Sequence, residues 1–195
     1  MRPRRSTLAA TGTALEVLRT QLRRGTAERD PLFVVHRLDA ATSGVLLFAR
    51  SQVAAAALGD LFQRGAVDKE YVAIVAGPVA TERGSIAAPL IASAGRAAVA
   101  PSGRAATTDW QVRATTPQGV ALSVTPRTGR MHQIRVHLAH IGMPIVGDVA
   151  YGGPAAARLF LHAHCLRFRH PFAPETVTIE SPLPAAMDAP AGSES

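Results

Sequence analysis

The chain has a single cysteine, Cys165, among its 195 residues. One thiol cannot form an intramolecular disulfide, and proteins without a disulfide framework are typical of reducing compartments, so we expect a cytoplasmic protein. No apolar run approaches the roughly 20 residues that a membrane-spanning helix requires, which argues against an integral membrane protein. The basic N-terminus, residues 1–5, is not followed by an apolar stretch, so we expect no secretory signal.

Motifs for nucleotide cofactors and for common metal sites are also missing. The sequence has no glycine-rich phosphate loop, no dinucleotide fingerprint, no Cys-x-x-Cys pair and no His-Glu-x-x-His run. Seven histidines are present, but in a strand His162 and His164 would lie on one face and Cys165 on the other. We therefore expect no bound metal. The alternative is a metal-dependent hydrolase that uses the histidines, and metal analysis of the purified protein distinguishes the two.

Lysine is nearly absent, yet the chain is strongly basic. Twenty of its 21 basic residues are arginine, against 14 acidic residues, and the net charge is +7. Residues 1–24 and residues 122–170 each hold six arginines and one acid. A GC-rich coding bias explains arginine in place of lysine, but it does not explain the sign of the charge. Because arginine suits phosphate contacts, the two basic segments favour nucleic acid or nucleotide as the ligand.

The hydrophobic pattern predicts one domain with more strands than helices. Hydrophobic residues make up 47% of the chain, which is enough for a sizeable core. The predicted helices cover 13–24, 51–64 and 130–141, the predicted strands cover 32–35, 45–49, 69–76, 107–113, 119–125, 159–168 and 176–180, and 77–105 predicts loops with short strands. This pattern predicts an α+β fold with a mixed, largely antiparallel central sheet and flanking helices, in a domain over 1–181 with a disordered tail over 182–195.

Asp39 is the first candidate for chemistry. It lies in a short polar connector, residues 36–44, between two apolar strands. The simplest interpretation is a side chain that caps a turn. Arg37 argues for a site instead, because residues two apart in an extended backbone share a side. Arg37 and Asp39 would then face one way, and Leu38 would face the core.

A basic segment at 128–135 is the second candidate. It opens a predicted helix, and helix N-termini bind anions. Arg135 lies at the edge of the apolar stripe of this helix, so it is either part of a solvated basic face or partly buried. A partly buried arginine needs a carboxylate, and Asp39 is the obvious candidate. We expect a contact of about 2.7–3.2 Å between them.

Several segments together resemble the RluA-type RNA pseudouridine synthases in order and spacing. They are 36–44 (HRLDAATSG), 69–73 (KEYVA), 128–138 (TGRMHQIRVHL), and a C-terminal stretch made of 142–148 (GMPIVGD), 151–152 and 161–163. The resemblance covers roughly residues 32–181. Ordered motifs of this kind are far more specific together than any one of them alone.

The resemblance implies an isomerase that converts uridine in RNA to pseudouridine without a cofactor. It implies that Asp39 is the catalytic carboxylate, that Arg135 is its basic partner and that Tyr71 stacks on the extruded uracil. Arg37 matches a residue that fills the base stack when the uracil leaves. The RNA contacts expected on the same grounds are Arg37, Arg130, His132 and Gln133.

The expected substrate is ribosomal or transfer RNA, and we expect a monomer with no metal and no contact with a membrane. The chain begins after the place where relatives carry an upstream strand and a Lys-Pro-x-Gly motif, so we expect the sheet to lack that strand. Met131 stands where a small hydroxyl residue is common. The alternative function is an inactive RNA-binding or RNA-folding module of the same fold, which the joint presence of Asp39, Tyr71 and Arg135 argues against.

Overall fold

The computed structural model describes residues 13–23 and 31–188. Three α-helices lie in this part of the chain: α1 (Ala14–Arg23), α2 (Gln52–Gln63) and α3 (Gln133–His140). The strands there are β1 (Phe33–Val34), β2 (Ser43–Gly44), β3 (Phe48–Ala49), β4 (Val67–Val75), β5 (Arg83–Ala87), β6 (Leu90–Ser93), β7 (Arg96–Val99), β8 (Thr107–Thr116), β9 (Gly119–Pro126), β10 (Leu161–Arg169) and β11 (Thr176–Glu180). None of these helices is long and apolar enough to cross a membrane.

The central sheet has seven strands, six of which follow the order β11-β10-β4-β9-β8-β5 with all neighbours antiparallel. The short strand β2 joins the same sheet parallel to β10, where Ser43 and Gly44 lie opposite His162 and Ala163. Two small antiparallel pairs, β1–β3 and β6–β7, lie outside this sheet. The α+β fold with a mixed, largely antiparallel sheet that the sequence predicts is therefore confirmed.

Strand β4 carries the longest continuous run of buried residues in the sheet. Val72 to Val75 are at most 1% exposed, because β4 is paired with β9 on one side and β10 on the other and both of its faces are covered at this end. Burial of such apolar side chains is the main favourable contribution to folding. Tyr71 directly precedes this run, so the core fixes the position from which its side chain projects.

Helix α2 matches the helix predicted over 51–64 and has Ser51 as its N-terminal cap. The Ser51 hydroxyl oxygen accepts a hydrogen bond from the Ala54 amide at 3.1 Å, which satisfies one of the free amides at the start of the helix. The inner face of the helix, with Leu58, Leu61 and Phe62, packs in a second hydrophobic cluster against residues of β4 and β10. Helix α2 is thereby held against the sheet beside the 36–44 connector.

Helix α3 begins three residues later than predicted. Met131 and His132 form a turn, and His132 adopts a φ of 50°. The helix ends as predicted before Gly142, whose φ of 79° suits the left-handed position after a helix. Ile134 and Leu138 lie in the main core.

The segment at 182–188 differs from the predicted disordered tail. Leu183 packs against the main core, and Met187 is buried in it with 1% exposure. These large apolar side chains anchor the segment to the core. Its other residues are mostly small or polar, which is why its composition predicted disorder. The rest of the predicted tail, 189–195, lies outside the described residues, as do 1–12 and 24–30.

We predict that Gly44→Ala destabilises the fold. Gly44 has a φ of 116°, and a Cβ there would overlap the carbonyl oxygen of Ala163 across the β2–β10 pair. We expect a loss of about 2–3 kcal/mol in the free energy of unfolding, measured by urea denaturation. The control is Gly59→Ala in α2, where a Cβ meets nothing within 4 Å. This substitution should raise the free energy of unfolding by about 0.5–1 kcal/mol. Equal stabilities of the two variants would contradict this account of Gly44.

Candidate active site

A cleft of about 810 Å³ opens where the 36–44 connector, β4 and the start of α3 meet. All the site residues predicted from the sequence line it, namely Arg37, Asp39, Tyr71, Arg130, His132, Gln133 and Arg135. Only the fold brings together residues as far apart in sequence as these.

The connector is fixed at its C-terminal end by β2. Ser43 Oγ lies 2.8 Å from Nδ1 of the buried His162, and Arg158 donates a hydrogen bond to the same hydroxyl. The Thr42 amide donates to the carbonyl oxygen of Asp39 at 2.9 Å, which closes a turn. The backbone carbonyl of Asp39, and not its side chain as the turn interpretation held, closes this turn, and Asp39 lines the cleft.

His36 fixes the other end of the connector. Its Nε2 accepts a hydrogen bond from the Leu47 amide at 2.9 Å, and its ring stacks on Phe62 of α2 with the centroids 4.5 Å apart. Burial, assisted by the charge of Lys69, lowers the pKa of His36 to about 4. The ring is therefore neutral near pH 7 and carries its proton on Nδ1.

Arg135 takes Asp148, not Asp39, as its main partner. Its Nε and Nη2 donate to the two carboxylate oxygens of Asp148 at 2.8 and 2.7 Å, and the Asp148 side chain is 1% exposed. Arg135 Nη1 lies 3.6 Å from Asp39 Oδ2, which is too long for a hydrogen bond. The predicted contact is therefore an ion pair and not a hydrogen bond, because the guanidinium is oriented by its two bonds to Asp148. The hydrogen bonds to Asp148 raise the pKa of Arg135.

Asp148 is the residue that the sequence reasoning missed. A signal for it was available, since it is the only acid between 122 and 170 and stands 13 positions after Arg135. The backbone around it is tightly constrained, because a Cβ on Gly147 would overlap the carbonyl oxygen of Arg158.

Tyr71 lines the cleft with its hydroxyl protonated. Burial and then the negative charge of Asp39 raise the pKa of Tyr71 to about 12.

Leu38, predicted to face the core, lines the same cleft as Arg37 and Asp39. Residues 35–42 form no strand, so strand alternation does not apply to them.

His132 connects Asp39 to a second aromatic residue. Its Nδ1 lies 2.7 Å from the hydroxyl of Tyr151, and its Nε2 lies 3.9 Å from Asp39 Oδ1. The guanidinium of Arg135 lies over the ring of Tyr151, 4.8 Å from the centroid, a favourable cation–π contact. Tyr151 therefore contacts both of the cationic or titratable groups that face Asp39.

The Gln133 side chain, predicted to contact RNA, lines the cleft and also supports it through four hydrogen bonds. Gln133 is 4% exposed. Its Oε1 accepts hydrogen bonds from the Thr128 hydroxyl and the Arg130 amide, and its Nε2 donates to the Thr107 carbonyl and the Thr108 hydroxyl. These bonds use the whole hydrogen-bonding capacity of the amide. Gln133 thus holds the turn that presents Arg130.

The cleft is basic apart from one carboxylate. Among the described residues that line it, Asp39 is the only acid, whereas five are lysine or arginine: Arg37, Lys69, Arg104, Arg130 and Arg135. Burial lowers the pKa of Lys69. A concave surface with this charge attracts polyanions.

In 13–23 and 31–188, no group of three or more His, Cys, Asp or Glu side chains could hold a metal ion.

Comparison with known proteins identifies the family of this chain. Residues 6–140 match the family model described as RNA pseudouridylate synthase. The chain belongs to this family. The fold agrees, since the structure of human RNA Pseudouridylate Synthase Domain Containing 1 matches with a TM-score of 0.74 and 30% sequence identity, over 88% of this chain and 76% of that one.

Bacterial relatives cover most of the chain. The ribosomal large subunit pseudouridine synthase C of Yersinia pestis is 37% identical over 166 residues, which are 78% of this chain and 52% of the relative. The dual-specificity RNA pseudouridine synthase RluA of Pasteurella multocida is 38% identical over 156 residues, 75% of this chain and 71% of the relative. An uncharacterized RNA pseudouridine synthase of Bacillus subtilis, YhcT, is 37% identical over 160 residues, 78% of this chain and 53% of the relative. The chain spans about half the length of the Yersinia and Bacillus proteins.

Removing the charge of Asp148 should cost far more stability than removing a surface charge. Asp148→Asn leaves Arg135 without its buried carboxylate, and we expect a loss of about 3 kcal/mol. The control Asp109→Asn breaks an ion pair of similar length, 2.7 Å to Arg127, whose side chains are 34% and 59% exposed; its expected cost is about 1 kcal/mol or less. Chemical denaturation near pH 7 measures both. Equal losses would contradict the importance of the buried pair.

His36 should make the protein less stable as the solution becomes acidic. Its pKa is about 4 in the folded protein and about 6.5 in an unfolded chain. Between these values the unfolded state binds the extra proton, so stability is full above about pH 6.5 and falls as the pH drops toward 4. His36→Gln keeps an acceptor for the Leu47 amide but does not titrate. The melting temperature of this variant should fall less steeply over that range, and parallel pH profiles would contradict the assignment.

Proposed function

We propose that this chain isomerises uridine in RNA to pseudouridine and that Asp39 is the carboxylate that reacts. The position of Asp39 carries the proposal: it is the one carboxylate that the described part of the chain contributes to a basic cleft, with Arg135 Nη1 at 3.6 Å from its Oδ2 and Tyr71 in the same cleft. Membership of the RNA pseudouridylate synthase family supports the same activity.

The reaction requires a carboxylate and involves no oxidation or reduction. The N1–C1′ glycosidic bond breaks, the uracil turns and C5 joins C1′; C5 loses a proton and N1 gains one, so substrate and product are isomers. The carboxylate of Asp39 either attacks the sugar or the base, or removes a proton from the ribose. The field of Arg135 supports each route, because a preorganised positive charge stabilises the charged groups of the transition state.

The depth of the site requires the target base to leave its stack. A paired uridine hides its reacting atoms inside the helix, so the nucleotide must be extruded to reach Asp39. Because its hydroxyl keeps its proton, the Tyr71 side chain is uncharged, and its ring offers the uracil a stacking face. Arg37, exposed at the cleft, fills the gap left in the RNA, while Arg104 and Arg130 bind phosphates.

Ribosomal or transfer RNA is the proposed substrate class. The relatives named for the ribosomal large subunit and for dual RNA specificity support this choice. In this proposal the protein acts in the cytoplasm as a monomer and without a metal or cofactor.

The decisive test replaces Asp39 with asparagine, which keeps the shape of the side chain and removes its charge. Ribosomal and transfer RNA containing 5-tritiated uridine release tritium when C5 loses its hydrogen. We expect Asp39→Asn to release it at least about 1000-fold more slowly than the wild type, with RNA affinity largely retained.

The matched control is Asp60→Asn. Asp60 is an exposed acid on α2 that pairs with Arg64 at 2.8 Å, and its loss should leave the rate within about twofold. Wild-type turnover by Asp39→Asn would overturn the assignment of the carboxylate. A wild-type protein that binds both RNA classes and releases no tritium would favour the inactive RNA-binding module.

A further inference from the structure

We propose that Tyr151 holds His132 with its ring proton on Nε2, and that this N–H, together with the Asp39 carboxylate, binds the 2′-hydroxyl of the target nucleotide. The substrate half of this inference rests on the proposed function. The position of the ring proton is a property of the protein alone and can be measured without RNA.

The hydrogen bonds of the Tyr151 hydroxyl determine the tautomer. The hydroxyl oxygen accepts a hydrogen bond from the Ala97 amide at 3.0 Å, and His132 Nδ1 lies 2.7 Å away. The described residues offer the hydroxyl proton no acceptor other than this nitrogen. A proton on Nδ1 would give the hydroxyl two protein donors and no protein acceptor, which favours Nδ1 as the acceptor and a neutral ring with its proton on Nε2.

The backbone of His132 adopts an uncommon conformation, so contacts around the residue must hold it in position. His132 has a φ of 50°, and Ala94 is the only other non-glycine residue with positive φ in the described part of the chain. Such a conformation persists only where surrounding contacts impose it. The hydrogen bond to Tyr151 and the edge-to-face contact of the two rings, with centroids 5.6 Å apart, are the contacts that do so here.

Asp39 is approached by two donors, neither within hydrogen-bonding distance. His132 Nε2 lies 3.9 Å from Oδ1, and Arg135 Nη1 lies 3.6 Å from Oδ2. An atom that lies within about 3 Å of both Nε2 and Oδ1 must accept from the first and donate to the second.

A hydroxyl meets this requirement and a carbonyl oxygen does not, because a carbonyl has no proton to give to Oδ1. An internal RNA nucleotide has one free hydroxyl, on C2′, next to the carbon whose bond is exchanged. Recognition of this group also distinguishes RNA from DNA. In this arrangement His132 touches substrate, and Tyr151 is a positioning residue that acts through it.

The tautomer is tested by nuclear magnetic resonance on the 15N-labelled protein without RNA, at a pH where free imidazole is neutral. The signal of His132 is assigned by its loss in His132→Gln. We expect a protonated Nε2 and an unprotonated Nδ1, and we expect Tyr151→Phe to shift the Nδ1 resonance because the hydrogen bond that it accepts is lost. A proton on Nδ1 in the wild type would overturn the proposal.

The donor role is tested by two substitutions that differ in where they place an N–H. A glutamine amide reaches about as far as Nε2, whereas an asparagine amide reaches only as far as Nδ1. In the tritium-release assay we expect kcat to fall about 100-fold in His132→Asn and by less than about tenfold in His132→Gln, with similar KM values. Tyr151→Phe should lower kcat about tenfold. His140→Asn, on the exposed end of the same helix, is the control and should match the wild type.

The hydroxyl itself is tested with RNA that carries 2′-deoxyuridine at the mapped target position. The substitution should weaken binding to the wild type about tenfold and binding to His132→Asn far less, because the partner is already gone. Equal losses in both proteins would overturn the 2′-hydroxyl as the ligand. Equal kcat values for the Asn and Gln variants would overturn the donor. A wild type that releases no tritium refutes the proposed function but leaves the tautomer measurable.

Discussion

The buried ion pair between Arg135 and Asp148 is the interaction on which the cleft depends. Two charges removed from water are tolerated only when each has a matched partner, and the two short hydrogen bonds supply that match. They occupy Nε and Nη2 of the guanidinium and leave Nη1 facing Asp39. Asp39 therefore lies in a positive field without giving up an oxygen to a hydrogen bond with Arg135, so both of its oxygens remain open toward the cleft.

The polar groups of the site fall into two kinds. Those that support it, such as Gln133 and His162, have their hydrogen-bonding atoms occupied within the protein. Those that face the cleft, Asp39 and His132 Nε2, stand more than 3.5 Å apart with room between them. Saturated groups give rigidity, and open ones keep their capacity for a ligand. A rigid frame around a few open groups matches what preorganised catalysis requires.

The sequence predicted most of the fold and the composition of the cleft, but not its pairing. The strands and helices follow from local hydrophobic spacing, and the four motifs place Asp39, Tyr71 and Arg135 in one site. Which carboxylate Arg135 binds depends on how the turn before Tyr151 folds back onto α3, and no local pattern encodes that. Leu38 was misplaced because the connector is not a strand, and the burial of Gln133 depends on partners in β8 that are distant in sequence as well as on its near neighbours.

The attachment of the Asp39 connector to β10 also has a consequence for how the molecule forms. Ser43 finds its partner His162 119 positions later in the chain, and contacts of such long sequence separation form slowly because a large loop must close first. Ser43 leaves the ribosome 119 residues before His162. Until β10 has formed, a partly folded chain therefore carries its arginines without a fixed connector to position the Asp39 carboxylate.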